Sequence, residues 1–351
     1  MDLRTLLGIA LPIIQSPMAG VQGSALALAV SNAGGLGSLP CAMLDMAGLA
    51  RELTAMRDGT VKPYNVNFFC HVPPPADAER EARWRTTLSP YFREFHIDPA
   101  SIAPGPGRAP FSAEAAALLE QFRPAVVSFH FGLPPDPLLS RVRAIGARVL
   151  ASATTVAEAR WLESRGVDAI IAQGLEAGGH RGIFETDDLT TQSGTLALLP
   201  QVVRAVGVPV IAAGGIADAS GVKAAFALGA AGVQAGTVYL LCPEATTSAV
   251  HREALASERA QHTAVTNVFT GRPARGIVNR IVREIGPISE DAPAFPLATA
   301  ALAPLRAAAE RRGSGDFSPL WSGQNASGCR EVSAAEITRD LVQGFTGLAA
   351  R

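Results

Sequence analysis

Pro209-Val210-Ile211-Ala212-Ala213-Gly214-Gly215-Ile216-Ala217-Asp218 decides the fold. Four apolar residues after a proline read as a buried strand, and the glycine pair that ends it lets the chain turn. Asp218 then opens an alanine-rich helical stretch over 219–228, and another apolar run begins at Gly232. Strand, glycine turn, helix and strand make a βαβ unit, and hence a parallel sheet.

The unit recurs in both directions. Apolar runs bounded by Gly or Pro lie at 13–16, 35–39, 64–69, 125–131, 148–153, 168–174, 209–215 and 232–240. Helical stretches lie between several of them, at 24–33, 156–164, 196–206 and 219–228. Eight strands with intervening helices favour a closed α/β (β/α)8 TIM barrel over an open doubly wound sheet. Two intervals exceed any plain loop. One, 70–124, holds Pro73-Pro74-Pro75 and Pro104-Gly105-Pro106-Gly107; the other follows the last strand and has helical patches at 246–255 and 297–311. The expected division is a barrel of residues 1–69, 125–241 and 313–351, an inserted lid of residues 70–124 and a helical, substrate-facing cap of residues 242–312.

With 351 residues, 48% hydrophobic and 17% charged, the chain can bury a large core, which argues against disorder. Thirty basic against 31 acidic side chains give a net charge of -1, so the basic footprint of a nucleic-acid partner is missing. Neither lysine, Lys62 or Lys223, follows a glycine, which excludes a Walker A loop. Cys41, Cys70, Cys242 and Cys329 form no C-x-x-C pair and there is no His-Glu-x-x-His, so no metal site is expected and a reducing cytoplasm fits. The uncharged stretch 5–44 is broken by Pro12, Gln15, Pro17 and Asn32, and the chain opens Met1-Asp2-Leu3-Arg4. Neither a membrane span nor a signal peptide is expected.

In a barrel the reactive groups gather at the carboxyl ends of the strands. There Gly214-Gly215, and Gln234-Ala235-Gly236-Thr237 on the last strand, predict a phosphate cradle: glycines admit close backbone approach, a helix N-terminus adds positive charge and Thr237 adds a hydroxyl. No Gly-x-Gly-x-x-Gly occurs, so a mononucleotide such as FMN fits better than a dinucleotide. Asn67 and Gln173 at strand ends are candidate partners for the polar edge of a flavin. His180 sits in the glycine-flanked run Gly178-Gly179-His180-Arg181-Gly182 and is the candidate base. His130, ending the fourth strand, points to the mouth or into the core.

Six stretches then resemble the nitronate monooxygenases, formerly called 2-nitropropane dioxygenases, of the class that contains bacterial propionate 3-nitronate detoxifiers. They are Gln15-Ser16-Pro17-Met18-Ala19-Gly20, Asn65-Val66-Asn67-Phe68-Phe69, 173–182, Ala213-Gly214-Gly215-Ile216-Ala217, 232–237 and Leu320-Trp321-Ser322-Gly323-Gln324, in order along nearly the whole chain. The resemblance implies FMN held by Pro17, Met18, Ala19, Asn67, Gln173, Gly178, Gly179, Gly214, Gly215 and 234–237. It also implies catalysis at His180 and a substrate pocket with His130, Phe295 and Trp321. The implied reaction is oxidation of an alkyl nitronate, or a nitroalkane, by FMN and O2 to a carbonyl compound and nitrite. An NAD(P)H-dependent FMN reductase of enoyl thioesters or quinones is the alternative, because related barrels share the glycine-histidine loop. Tyr64, Tyr91 and Tyr239 are the only tyrosines, so the cap offers Phe295 where such enzymes carry hydroxyls. A pocket of that kind is expected to favour plain alkyl nitronates unless Arg272, Arg275 or Arg306 reaches the mouth.

Overall fold

The structure, a computed structural model, describes residues 2–102 and 107–346; Pro104, Gly105 and Pro106 of the proline-glycine run lie outside them. Among the described residues are strands β1 (Ile13–Gln15), β2 (Gly37–Pro40), β3 (Tyr64–Phe69), β4 (Val126–His130), β5 (Arg148–Ala153) and β6 (Ala169–Gln173). They are followed by β7 (Gly179–His180), β8 (Val210–Ala213), β9 (Gly232–Ala235), β10 (Thr263–Thr266) and β11 (Ala274–Ile277). Eight of these form one sheet in the order β1-β9-β8-β6-β5-β4-β3-β2, with every pairing parallel. A parallel bridge from Ile14 to Leu36 joins its two edges, so the sheet closes into the (β/α)8 barrel. The last barrel strand is shorter than the apolar run 232–240: Gly236 leaves the extended region and Thr237–Tyr239 coils into a 3-10 turn.

The two-residue period of the strands divides the core. Ile14, Val126, Leu150, Ile171 and Ile211 pack together inside the barrel, where Leu3 and Leu7 of the helix Leu3–Leu7 join them. Their neighbours Ile13, Val127, Val149, Ile170 and Ala212 pack outward against the helices. Leu3 lies against Gly232 at the start of β9, so the short helix seals the amino-terminal end and leaves the other end for a ligand.

The long intervals are organised differently from the expected lid and helical cap. The helix Ala78–Glu94 leaves the barrel and shares a core with residues 268–317, in which Trp84, Leu88 and Phe92 pack with Ile281, Leu302, Leu305 and Phe317. The helix Ala113–Phe122 instead packs into the barrel core through Ala115, Ala116 and Leu119. Within 70–124, Ala78–Glu94 is therefore roof and Ala113–Phe122 is barrel wall. The segment 242–312 carries the helices Ala249–Ala256, Arg280–Ile285 and Ala298–Glu310, but also the antiparallel hairpin β10–β11. β11 pairs in turn with β7, placing Ala274 opposite His180. A two-residue strand has no periodicity to detect, so the glycine run around His180 gave no sign of this pairing.

Candidate active site

One cavity opens at the carboxyl ends of the barrel strands, with about 1340 Å³ of empty space counted out to its mouth. Its lining includes Pro17, Met18 and Ala19 after β1, Asn67 on β3, Gln173 ending β6, and Gly178, Gly179 and His180. Gly214 and Gly215 after β8, Gln234 and Ala235 on β9, and Gly236 and Thr237 beyond it complete the floor, while His130 and Trp321 reach it from the side. Phe295 is absent from the lining; it is buried behind the wall, its ring 5.3 Å from that of His180.

The floor is shaped by glycine. Gly215 has φ +72, a left-handed conformation that other residues adopt only with strain, and a Cβ at Gly178 would sit 2.5 Å from Gly323 N. Gly323 N donates to Thr237 Oγ1 at 3.0 Å, tying residues 178, 237 and 323 together. The helix N-terminus expected to face an anion is occupied: Asp218 caps Ala219–Ala227 by accepting from Gly221 N at 2.8 Å. Asn67 Nδ2 donates to Ser128 O at 3.2 Å and Ser128 Oγ at 2.9 Å. Gln173 is committed at both ends, its Oε1 accepting from Gly182 N at 2.7 Å and its Nε2 donating to His180 O at 3.0 Å. It holds the loop. Gln234 Oε1 is buried without a partner among the described residues.

The roof surrounds His180. Arg181, fully buried, donates to Gly174 O, Gln173 O and Gln192 Oε1 and so anchors the loop from beneath. His130 Nε2 lies 3.2 Å from His180 O, and because a carbonyl only accepts, this nitrogen carries the proton. His130 Nδ1 is then free to accept from Ser152 Oγ at 3.0 Å. Both ring nitrogens are thus engaged in positioning the loop, and burial pushes the His130 imidazole down to about 3, keeping it neutral. His180 Nε2 meets Thr270 Oγ1 at 2.9 Å. Burial first, then the charges of Arg108 and Arg272 among its neighbours, drive the His180 imidazole well below its ordinary value. A neutral base suits this setting; a resting imidazolium does not.

Arg108 is the residue that sequence reading missed. It lines the cavity, its guanidinium stands 5.5 Å from the Phe295 ring, and no carboxylate pairs with it among the described residues. One arginine in an irregular segment carries no periodic signal. Of the arginines expected near the mouth, Arg272 lies 4.0 Å over the Phe131 ring and donates to Ile183 O, while Arg275 donates to Leu175 O at 2.9 Å and Thr263 Oγ1 at 3.0 Å. Arg306 pairs with Glu310 on a half-exposed helix face, away from the cavity. Trp321 stands 5.6 Å from the His180 ring, and its carbonyl accepts from His251 Nε2 at 3.1 Å. No helix among the described residues is long and apolar enough to cross a membrane, and no group of three or more His, Cys, Asp or Glu is placed to hold a metal ion.

Fold and cavity together define a barrel enzyme with a cavity at the strand ends beneath an added roof. The sequence model of the nitronate monooxygenase family matches residues 2–344, and the chain belongs to that family of oxidoreductases. It is 46% identical to the nitronate monooxygenase of Pseudomonas aeruginosa over 97% of this chain and 98% of that protein. Among solved structures it is similar to nitroalkane oxidase from Streptomyces ansochromogenes, with 37% identity, TM-score 0.89, and 99% of this chain and 100% of the other covered. FabK from Thermotoga maritima shares 27% identity at TM-score 0.74, over 99% of this chain and 96% of that one.

Proposed function

We propose that the chain binds FMN on the cavity floor and oxidises alkyl nitronates, and nitroalkanes once deprotonated, with O2 as electron acceptor and a carbonyl compound and nitrite as products. The observation that carries this reading is a neutral histidine over a glycine-lined cavity, in a chain whose relatives are named for nitronates and nitroalkanes. The floor fits the cofactor. The orphaned Gln234 Oε1 needs a donor, and Asn67 Oδ1 has no hydrogen-bond partner among the described residues, so both can accept from a polar ring edge. A Cβ at Gly178, Gly214 or Gly236 would press on Gly323, Thr195 or Ser16, and Gly215 takes a left-handed φ, so the floor at these positions is backbone alone. Thr237 and the backbone around Gly215 would hold the phosphate, while Pro17, Met18, Ala19, Gln173, Gly179 and Ala235 frame the ring. When bound, FMN supplies the redox chemistry.

The chain's own residues prepare the substrate. His180, neutral at working pH, takes a proton from the carbon beside the nitro group, and the C–H electron pair stays behind as the nitronate. Arg108 attracts the anion into a cavity otherwise poor in charge, and Trp321 limits the space above His180. Arg108, and none of the cap arginines Arg272, Arg275 and Arg306, lines the cavity, and it would offer a carboxylated nitronate the partner that Phe295 lacks.

The visible spectrum of the purified protein, mass identification of the released cofactor and anaerobic titration with a nitronate test this reading. The expected result is one FMN per chain, reduced by nitronate and reoxidised by O2. Bleaching by NADH with no response to nitronate would overturn it in favour of the reductase.

A further inference from the structure

The turn that joins β10 to β11 places a hydroxyl on the candidate base. Thr270 is 2% exposed, and its Oγ1 lies 2.9 Å from His180 Nε2. The same oxygen donates to Arg272 O at 3.3 Å and accepts from Arg272 N at 3.4 Å. A threonine hydroxyl has one proton and two lone pairs. With its proton on the Arg272 carbonyl and one lone pair facing the Arg272 N–H, the remaining lone pair faces His180 Nε2, which must then carry a proton.

The turn is also held rigidly. Gly271 N donates to Asn267 O at 2.7 Å, and Thr299 Oγ1 donates to Phe269 O at 3.1 Å. Gly271 fits so closely that a Cβ there would collide with Pro293 O. His180 is fixed from the other side, because β7 pairs with β11 and both His130 and Gln173 hold the His180 carbonyl. The ring can therefore neither retreat nor flip without breaking the Thr270 contact. His180 Nδ1 has no protein partner among the described residues, and His180 lines the cavity.

We infer that Thr270 is a positioning residue that holds His180 as the Nε2–H tautomer, so that Nδ1 is the atom that takes the substrate proton. The inference rests on the proposed role of His180 as base. The step balances: the C–H proton moves to Nδ1, its electron pair becomes the nitronate, and the imidazolium keeps its Nε2–H on Thr270 until Nδ1 returns its proton to solvent. A preformed nitronate has no proton to give, so Thr270 should matter for neutral nitroalkanes and hardly at all for nitronates.

Two measurements on the cofactor-loaded protein decide the matter. With 15N-labelled histidine, two-bond nitrogen–proton correlations report the tautomer, and the His180 signal is assigned by its loss in His180→Asn. The wild type should show Nε2–H with a bare Nδ1, Thr270→Ser should keep that pattern and Thr270→Val should lose it. In parallel, Thr270→Val should lower kcat on a neutral nitroalkane by about 10- to 100-fold, a part of what a general base contributes. Its KM and its rate on the preformed nitronate should stay within about twofold of wild type, with Thr270→Ser restoring the lost rate. A resting Nδ1–H tautomer in the wild type, or equal losses on both substrate forms, would overturn the inference. If His180→Asn leaves nitroalkane turnover intact, it is the base assignment that fails, and the wild-type tautomer still decides the role of Thr270.

Discussion

The floor and the roof of the cavity are built on opposite plans. The floor comes from the ends of β1, β3, β6, β8 and β9, and its residues are glycines, apolar groups, amides and hydroxyls. None is charged. The roof draws Arg108, Arg272, Phe295 and Trp321 from far apart in the chain around His180, with His71 and His130 close behind. A neutral floor with an orphaned acceptor suits a cofactor that stays, whereas a roof that brings Arg108 to the cavity, with no carboxylate paired to it among the described residues, suits an anion that comes and goes. Burial first, and then the charges of Arg108 and Arg272, hold the central histidine neutral, so attraction of an anion and the unprotonated state of the histidine share one arrangement.

The comparison breaks most visibly at His180. His180→Asn should retain FMN, as read by absorbance, yet lose activity on neutral nitroalkanes by roughly 10²- to 10⁴-fold, the span of general-base catalysis. The loss on preformed nitronate should be much smaller. Equal losses would move His180 from proton transfer to binding.

Next comes Arg108. A hydrogen bond to a charged group contributes roughly 1.5–3 kcal/mol, or about 10- to 100-fold, so Arg108→Gln should raise KM by that factor for a nitronate bearing a carboxylate. A plain alkyl nitronate should suffer less. The substitution also removes a charge that holds the His180 imidazole down. In wild type, kcat/KM on a nitroalkane should therefore persist as pH falls below the ordinary histidine value of about 6.5. In Arg108→Gln the acid limb should move up toward that value. An unmoved limb, with KM unchanged for both nitronates, would remove Arg108 from the site.

A floor substitution should leave the roof's chemistry alone. Gly215→Val forces a branched residue into a left-handed conformation at a strain of about 1–2 kcal/mol; relaxing that strain moves the backbone out of the cradle, so FMN binding should weaken by up to roughly tenfold. Turnover per bound FMN should be preserved, as measured by activity normalised to flavin absorbance. A fall in that ratio would mean that floor and roof are coupled.

The smallest effect concerns stability. His130 is held neutral down to about 3 and His251 down to about 4, in both cases chiefly by burial. Below the unfolded value of about 6.5 the unfolded chain binds protons that the native state refuses. Their contribution is therefore complete above about pH 6.5 and is lost as pH falls from there toward 3 to 4. Melting temperatures should drop over that window, and His251→Gln, remote from the floor, should flatten the slope by a few degrees while keeping FMN.

The sequence by itself determined the barrel and most of the floor, because both rest on local rules. Apolar runs such as 209–215 and 148–153 announce strands through period and punctuation, and barrel topology sends whatever follows each strand to one common rim. Gly215, Asn67 and Gln173 could be named for that reason before any distance was known, although their partners could not. Gln173 turned out to be spent on holding the His180 loop. The roof was decided only in three dimensions. Helix Ala78–Glu94 finds its core with residues about 200 positions away, and Arg108, Thr270 and Phe295 meet around His180 through contacts that no period or motif encodes. Phe295, chosen for the pocket wall from sequence, lies behind it. Side-chain proximity between distant segments follows from how whole elements pack, and a linear pattern carries no record of it.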